Sequence, residues 1–151
     1  MGRGSANGRP AQPGAPLSCE VLATPFAASR LRHDLSAWLR AQHLAVELVE
    51  AVVLAGYEAL ANAAEHAYQR FRSGGSAAEH VGTVRLRAWT EPGRIEIRVG
   101  DHGSWRTPRR VGERRGRGLV LMRALADEVT VQTGATGTTV TLSWLRPGLP
   151  G

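Results

Sequence analysis

The sequence predicts a two-layer α/β sandwich, in which helices cover one face of a mostly antiparallel, mixed β-sheet. Three observations indicate this class. The chain has 151 residues, enough for one hydrophobic core but not for two. Apolar residues repeat at helical spacing in two regions and alternate with polar residues in several shorter ones. The resulting order is strand, two helices, two strands, helix and two strands, which favours helices segregated from an antiparallel sheet.

The first predicted elements are a strand and two helices. Residues 18–23 form a short strand candidate, which a Thr-Pro pair closes. Leucines and a tryptophan at helical spacing then predict a helix over residues 26–42. A second helix, rich in alanine and leucine, is predicted over residues 45–71, and the Ser-Gly-Gly-Ser run after it should end it.

A hairpin follows the second helix. Residues 84–89 and 94–99 each alternate as half-buried strands do, and a Glu-Pro-Gly turn joins them. Residues 104–117 are polar, rich in arginine and without periodic pattern, so we expect a loop or a mobile lid there. The chain closes with a short helix and two more strands, predicted at residues 119–126, 128–132 and 138–144.

The ends of the chain and its single cysteine limit the function classes. Residues 1–16 are Gly, Pro, Ala, Ser and Arg with little to bury, so we expect a disordered tail before a domain at residues 17–146 and a short tail at 147–151. No signal-peptide core and no run of about eighteen apolar residues occurs, so we expect a cytoplasmic protein with no membrane partner. Cys19 has no second cysteine to pair with, which excludes an internal disulfide.

The charge of the chain comes from arginine alone. The net charge is +6, and all 19 basic residues are arginines. A basic chain suggests a nucleic-acid partner, yet six of the arginines lie within residues 106–117, beside glycines, where they can serve phosphate groups as well. We expect no direct nucleic-acid partner. The competing nucleic-acid hypothesis predicts steeply salt-dependent binding that ATP does not alter.

Glu58 and Asn62 lie one turn apart on the second predicted helix. Such a pair alone is more simply a solvated stripe, but asparagine within a helix usually has another reason to be there. An amide oxygen suits Mg²⁺, which takes its remaining ligands from water and phosphate. A carboxylate one turn away can accept the proton of an attacking hydroxyl group. The pair therefore makes chemical sense only beside a nucleotide.

Two glycine-containing turns could complete a nucleotide site. Asp101 follows a predicted strand, where its carboxylate could accept from the exocyclic amine of adenine, and Gly103 would allow close approach of the backbone. The run Arg115-Gly116-Arg117-Gly118-Leu119 precedes a predicted helix, where backbone N–H groups can face phosphate oxygens. Each motif alone is weak, because Asp-x-Gly and Gly-x-Gly turns are common.

The order and spacing of these motifs resemble the GHKL superfamily of ATPases, and within it the bacterial anti-sigma-factor serine/threonine kinases. The likeness rests on Glu58 and Asn62, on Asp101-His102-Gly103, on the glycine run, and on a late Gly137-Thr138-Thr139-Val140 segment. It covers roughly residues 25–145. The resemblance implies the Bergerat-type ATP-binding fold of histidine-kinase-like ATPases. One departure is Trp105, which stands where the family usually has a second glycine.

The resemblance also implies roles for individual residues. Glu58 would be the catalytic base, and Asn62 would bind Mg²⁺. Arg32, six residues before the aromatic Trp38, matches the position of a catalytic arginine, although a surface arginine is an equal alternative. The residues expected to bind ATP are Asn62, Asp101, Gly103, Arg115, Gly116, Arg117, Gly118, Leu119, Thr138 and Thr139.

The implied function is transfer of phosphate from ATP to a serine of a small anti-anti-sigma (STAS-like) protein, sequestration of a sigma factor, or both. The alternative is a nucleotide-gated module that binds a partner without phosphotransfer. Retention of Glu58 favours the enzyme, while Trp105 and the arginine-rich loop are departures from the family pattern. The resemblance leaves open whether the chain forms a homodimer.

Overall fold

A computed structural model describes residues 12–73, 82–101, 113–134 and 137–146 of the chain. The order of elements predicted from sequence is confirmed. The elements are β1 (Leu17–Leu22), α1 (Ala27–Ala41), α2 (Val46–Ser73), β2 (Thr83–Glu91), β3 (Arg94–Asp101), α3 (Glu113–Leu125), β4 (Glu128–Gly134) and β5 (Gly137–Leu145).

The described strands form one five-stranded sheet in the order β1-β2-β3-β5-β4. All four neighbouring pairs are antiparallel. Side chains alternate between the two faces of the sheet, and the apolar set packs against the helices. These buried residues are Val84, Leu86, Ala88, Ile95, Ile97, Val99, Leu142 and Trp144. The predicted two-layer α/β sandwich is therefore confirmed.

The two long helices pack closely because of one glycine. A Cβ atom at Gly56 of α2 would lie 2.8 Å from Cδ2 of Leu35, which is fully buried on α1. A larger residue at position 56 would force the buried Leu35 side chain or one of the helices to shift, so glycine allows this close contact. α1 stops after Gln42, its C-cap, and His43 then adopts the left-handed conformation with φ of 56° that ends many helices.

The segment before β1 lies against the end of α1. The indole N–H of Trp38 donates to the carbonyl of Ala15 at 2.6 Å, and the N–H of Gly14 donates to the side-chain oxygen of Gln42 at 2.9 Å. Of the predicted tails at residues 1–16 and 147–151, residues 1–11 and 147–151 lie outside the described residues. Among the described helices, none is both long and apolar enough to span a membrane.

α3 differs from the prediction in its starting point. It begins at Glu113 rather than at residue 119, so Gly116 and Gly118 lie inside the helix instead of in a turn before it. Glycine is unfavourable within a helix, but the arginines around it are good helix formers, and α3 packs along α2. Residues 113–117 of the predicted loop are therefore helical, and its residues 104–112, with Trp105, fall outside the described part of the chain.

Candidate functional site

Glu58 and Asn62 of α2 meet Gly118 of α3. A Cβ atom at Gly118 would lie 3.2 Å from Glu58 Oε2 and 3.1 Å from Asn62 Nδ2. Both side chains are half-buried, whereas Gly118 is buried. The absence of a side chain at position 118 therefore gives the carboxylate and the amide their place between the two helices.

The helical conformation of α3 changes where phosphate could be bound. The first four N–H groups of an α-helix lack intrahelical acceptors and favour anions. Within α3 these groups belong to its first residues, 113–115, which include Arg115 but not Gly116. The N–H groups of Arg117 and Gly118 lie beyond the first turn, so in this conformation they belong to the helix itself and the predicted cradle moves toward the helix start.

Asp101 and Thr138 form the second part of the site, at one end of the sheet. Both side chains lie on the face that the helices cover, because the β3–β5 register that pairs Val99 with Val140 places Asp101 opposite Thr138. The backbone N–H of Thr138 donates to Asp101 Oδ1 at 3.3 Å. Thr138 is only 4% exposed, and its hydroxyl has no hydrogen-bond partner within the described structure.

Thr139 does not join this group. Successive residues of a strand point to opposite faces, so Thr139 lies on the outer face, opposite Gly100 in the register. Its Oγ1 is 3.6 Å from the position of a Cβ atom at Gly100. The structure therefore separates the two threonines that the sequence places together, and only Thr138 faces the helices.

The two parts of the site lie over the same end of the sheet. A Cβ atom at Gly82 would be 2.9 Å from Cβ of Ala67, in the C-terminal half of α2. Gly82 leads into β2, where Val84 pairs with Asp101. The half of α2 that carries Asn62 thus runs toward Asp101, so a nucleotide could contact both parts at once.

Arg32 lies on α1 with its guanidinium group 5.2 Å from the centre of the Tyr57 ring. Tyr57 directly precedes Glu58, so this contact brings the predicted catalytic arginine to the turn of α2 that carries the predicted base. Sequence reasoning does not select Tyr57. The sequence shows an aromatic residue beside Glu58. Its contact with Arg32 cannot be predicted from the sequence, because it depends on how α1 packs on α2.

Four of the remaining candidate residues lie on α3, and one lies outside the described residues. Arg117 is exposed on α3, and Leu119 is half-buried against the core. Arg115 and Gly116 lie in the first turns of α3. Gly103 lies outside the described residues.

Metal binding would depend on the nucleotide. Among the described residues, no three His, Cys, Asp or Glu side chains lie close enough together to hold a metal ion. Asn62 offers one amide oxygen, which fits a Mg²⁺ ion whose other ligands are phosphate and water. The buried Thr138 hydroxyl, which has no partner in the described structure, likewise fits a site that a polar ligand completes.

Comparison with known protein families gives a match over most of the chain. Residues 21–144 match the protein family described as the histidine kinase-like ATPase domain. The matched span includes every candidate site residue.

Two solved structures are similar to the chain. One comprises the RsbU and RsbW domains of Rv1364c from Mycobacterium tuberculosis, with a TM-score of 0.64 and 30% identity over 88% of this chain and 33% of that one. The other is the histidine kinase domain of the blue-light activated histidine kinase EL346 from Erythrobacter litoralis, with a TM-score of 0.52 and 19% identity over 83% of this chain and 62% of that one. The chain thus covers less than two thirds of either structure, and the second likeness concerns the fold alone.

Proposed function

The chain belongs to the histidine kinase-like ATPase domain family, and we propose that it is an ATP-dependent serine/threonine protein kinase of the anti-sigma-factor type. ATP binding and a kinase-type use of ATP follow from the family. The proposal adds the acceptor, a serine of a small anti-anti-sigma protein, and a second partner, a sigma factor that the chain sequesters. Similarity to a protein that contains an RsbW domain supports a role with a protein partner.

The observation that carries the proposal is the meeting of Glu58, Asn62 and Gly118. A carboxylate and an amide from α2 lie against a glycine of α3, with distances of 3.1 to 3.2 Å to the position of its Cβ atom. If this contact between α2 and α3 served stability alone, apolar side chains would be expected to meet in it. This contact instead keeps two polar groups half-buried together, which supports a site built for chemistry.

Recognition of adenine is assigned to Asp101 and Thr138, the part of the site at the end of the sheet. The N–H of Thr138 holds one oxygen of the Asp101 carboxylate, and this contact orients the group toward a base. The carboxylate would accept a hydrogen bond from the exocyclic amine of adenine, a group that guanine lacks at the same position. The buried hydroxyl of Thr138 would gain a hydrogen-bond partner from the bound nucleotide.

The proposed reaction is an in-line phosphoryl transfer. The serine oxygen of the partner forms a bond to the γ-phosphorus while the bond from that phosphorus to the bridging oxygen of ADP breaks. Glu58 accepts the proton of the serine hydroxyl. Arg32 stabilises the negative charge on the transferred group. Mg²⁺, held through Asn62 and the phosphates, would supply charge neutralisation.

The experiment is phosphate transfer from γ-labelled ATP to purified anti-anti-sigma proteins, each compared with its Ser→Ala acceptor variant. Glu58→Gln removes the base but keeps the size of the side chain and one acceptor oxygen, so transfer should slow by about 10²–10⁴-fold. ATP affinity, measured by calorimetry, should change little. Glu65→Gln, an exposed substitution two turns along the same helix, serves as the matched control.

The possible outcomes separate the two functional hypotheses. Labelled acceptor that depends on Glu58 supports the kinase. Nucleotide-dependent capture of a sigma factor or an anti-anti-sigma protein, without any labelled acceptor, would instead establish the nucleotide-gated module and overturn the proposed chemistry.

A further inference from the structure

The contact between Arg32 and Tyr57 lies beside a close contact of α1 with α2. Gly56 lets Leu35 approach to 2.8 Å from the position of a Cβ atom. Arg32 lies one turn before Leu35 on α1, and Tyr57 directly follows Gly56 on α2. The close approach of the two helices therefore brings the guanidinium group over the ring, 5.2 Å from its centre.

The helical geometry of α2 places this contact beside Glu58. Successive residues of an α-helix are separated by about 100° around its axis. Gly56 faces α1, and Glu58 faces Gly118 of α3. Tyr57 lies between these two directions and is only partly buried. The Tyr57 ring, with the Arg32 guanidinium over it, therefore lies between the side of α2 that contacts α1 and the side that carries the predicted base.

Arg32 has little else to fix its position. It is exposed, and in the described part of the chain no ion pair involves it. A long arginine side chain that is free to rotate spends much of its time away from any one place. A ring face restrains it while leaving the N–H donors at the edge of the guanidinium plane open to a phosphate group.

We propose that Tyr57 is a positioning residue, whose aromatic face holds Arg32 in reach of the phosphoryl group that is transferred. The inference rests on the proposed kinase function. It assigns no chemical step to Tyr57 and no role to its hydroxyl group. What the reaction needs from position 57 is an aromatic ring.

The test is a double-mutant cycle on single-turnover transfer from saturating ATP to the anti-anti-sigma acceptor. Four variants are compared with the native chain: Arg32→Ala, Tyr57→Leu, Tyr57→Phe and the double variant Arg32→Ala/Tyr57→Leu. Tyr57→Leu should slow transfer by about two- to fivefold, the worth of an exposed cation–π contact. Tyr57→Phe should keep the native rate, and the double variant should be no slower than Arg32→Ala alone. ATP affinity should be the same in all.

A second cation–π pair provides the matched control. On the outer face of the sheet, the Arg98 guanidinium lies 5.1 Å from the centre of the Trp89 ring. Trp89→Leu removes a contact of the same kind far from Glu58, so it should leave the transfer rate unchanged. A loss of rate in this variant would mean that general destabilisation, and not positioning, explains the result for Tyr57→Leu.

The outcomes distinguish the inference from the function on which it rests. If Arg32→Ala slows transfer but Tyr57→Leu does not, or if the two effects multiply, Tyr57 does not position Arg32. Equal losses in Tyr57→Phe and Tyr57→Leu would point to the hydroxyl group and overturn the inference. If the native chain transfers no phosphate, or if Arg32→Ala has no effect, the catalytic role proposed for Arg32 fails first.

Discussion

Gly118 of α3 lies so close to Asn62 of α2 that a Cβ atom at position 118 would be 3.1 Å from the amide nitrogen. Alanine stabilises a helix by about 1 kcal/mol over glycine at an interior position. Glycine at position 118 therefore lowers the stability of α3, and in return it admits the polar side chains of α2. Such a trade between stability and function is expected at a working site.

Gly118→Ala should weaken ATP–Mg²⁺ binding by about tenfold, the worth of one hydrogen bond to a charged group. The new methyl group would displace Asn62 and Glu58. The free energy of unfolding should change by less than about 1 kcal/mol, because better helix propensity offsets the crowding. Calorimetry and denaturant unfolding measure the two quantities. Ala124→Gly, at an exposed position of α3, is the control that changes propensity alone. Unchanged affinity with higher stability would remove Gly118 from the site.

Thr138→Val should have opposite effects on stability and binding. The hydroxyl of Thr138 is buried without a partner in the described structure, so a methyl group of similar size should raise the free energy of unfolding by about 1 kcal/mol. If a nucleotide uses that hydroxyl, ATP affinity should fall. Thr139→Val, on the opposite face, should leave affinity unchanged. A destabilised Thr138→Val protein would show that the hydroxyl already has a partner.

Asp101→Asn should weaken adenine nucleotide binding and reduce the preference for ATP over GTP. The amide oxygen can still accept from the Thr138 N–H, but its NH₂ group would face the adenine amine with nothing to accept. The loss should be about 1.5–3 kcal/mol, roughly ten- to a hundredfold. Asp127→Asn is the matched control, since Asp127 Oδ2 accepts from the N–H of Leu145 at 2.7 Å and should affect stability only. Equal affinity of the native chain for ATP and GTP would argue against this role of Asp101.

Asn62→Ala and Glu58→Ala should separate metal-dependent binding from chemistry. Loss of Asn62, the proposed Mg²⁺ ligand, should reduce the gain in ATP affinity that Mg²⁺ gives. Loss of Glu58, the proposed base, should leave that gain intact and slow transfer by about 10²–10⁴-fold. Calorimetric titrations with ATP, with and without Mg²⁺, provide the comparison. If Glu58→Ala abolishes nucleotide binding while transfer per bound ATP persists, Glu58 is not the base.

Cys19 should react slowly with alkylating reagents near neutral pH. Burial raises the pKa of its thiol, and the charge of Asp34 and a hydrogen bond with that side chain raise the pKa further, while Arg30 lowers it. Asp34→Asn removes a negative charge that disfavours the thiolate, so the thiol pKa should fall and alkylation at a fixed pH should become faster. Arg30→Gln should act in the opposite direction. The pH dependence of iodoacetamide labelling, followed by mass spectrometry, reports both shifts, and identical profiles would contradict the assigned causes.

The strands and long helices could be predicted because their signals are local. Alternation around the Glu91-Pro92-Gly93 turn defines a hairpin wherever the rest of the chain lies. The start of α3 could not be predicted in this way. Gly116 and Gly118 are weak helix formers, so the local signal favours a turn, whereas packing of α3 along α2 favours a helix that continues through them.

The candidate site was predictable in its residue types more than in its contacts. Glu58 and Asn62 share a helix face by spacing alone. The separation of Thr138 from Thr139 was also within reach of the sequence, since the alternation of Val140, Leu142 and Trp144 already puts Thr138 in the buried phase. The Asp101–Thr138 hydrogen bond needs the β3–β5 pairing, and that pairing joins segments too distant along the chain for any local pattern to reveal.

The central position of β3 in the sheet also bears on how the protein opens. β3 is bonded to β2 on one side and to β5 on the other, whereas β1 and β4 are edge strands. Local opening of a folded domain begins where protection is least, at edges and ends, and reaches central strands last. The Asp101–Thr138 hydrogen bond joins two interior strands. The bond lies at the ends of these strands, since Asp101 is the last residue of β3 and Thr138 the second residue of β5. Loss of β1 or β4 therefore leaves it in place, whereas fraying from the strand ends opens early the contact that we assign to adenine.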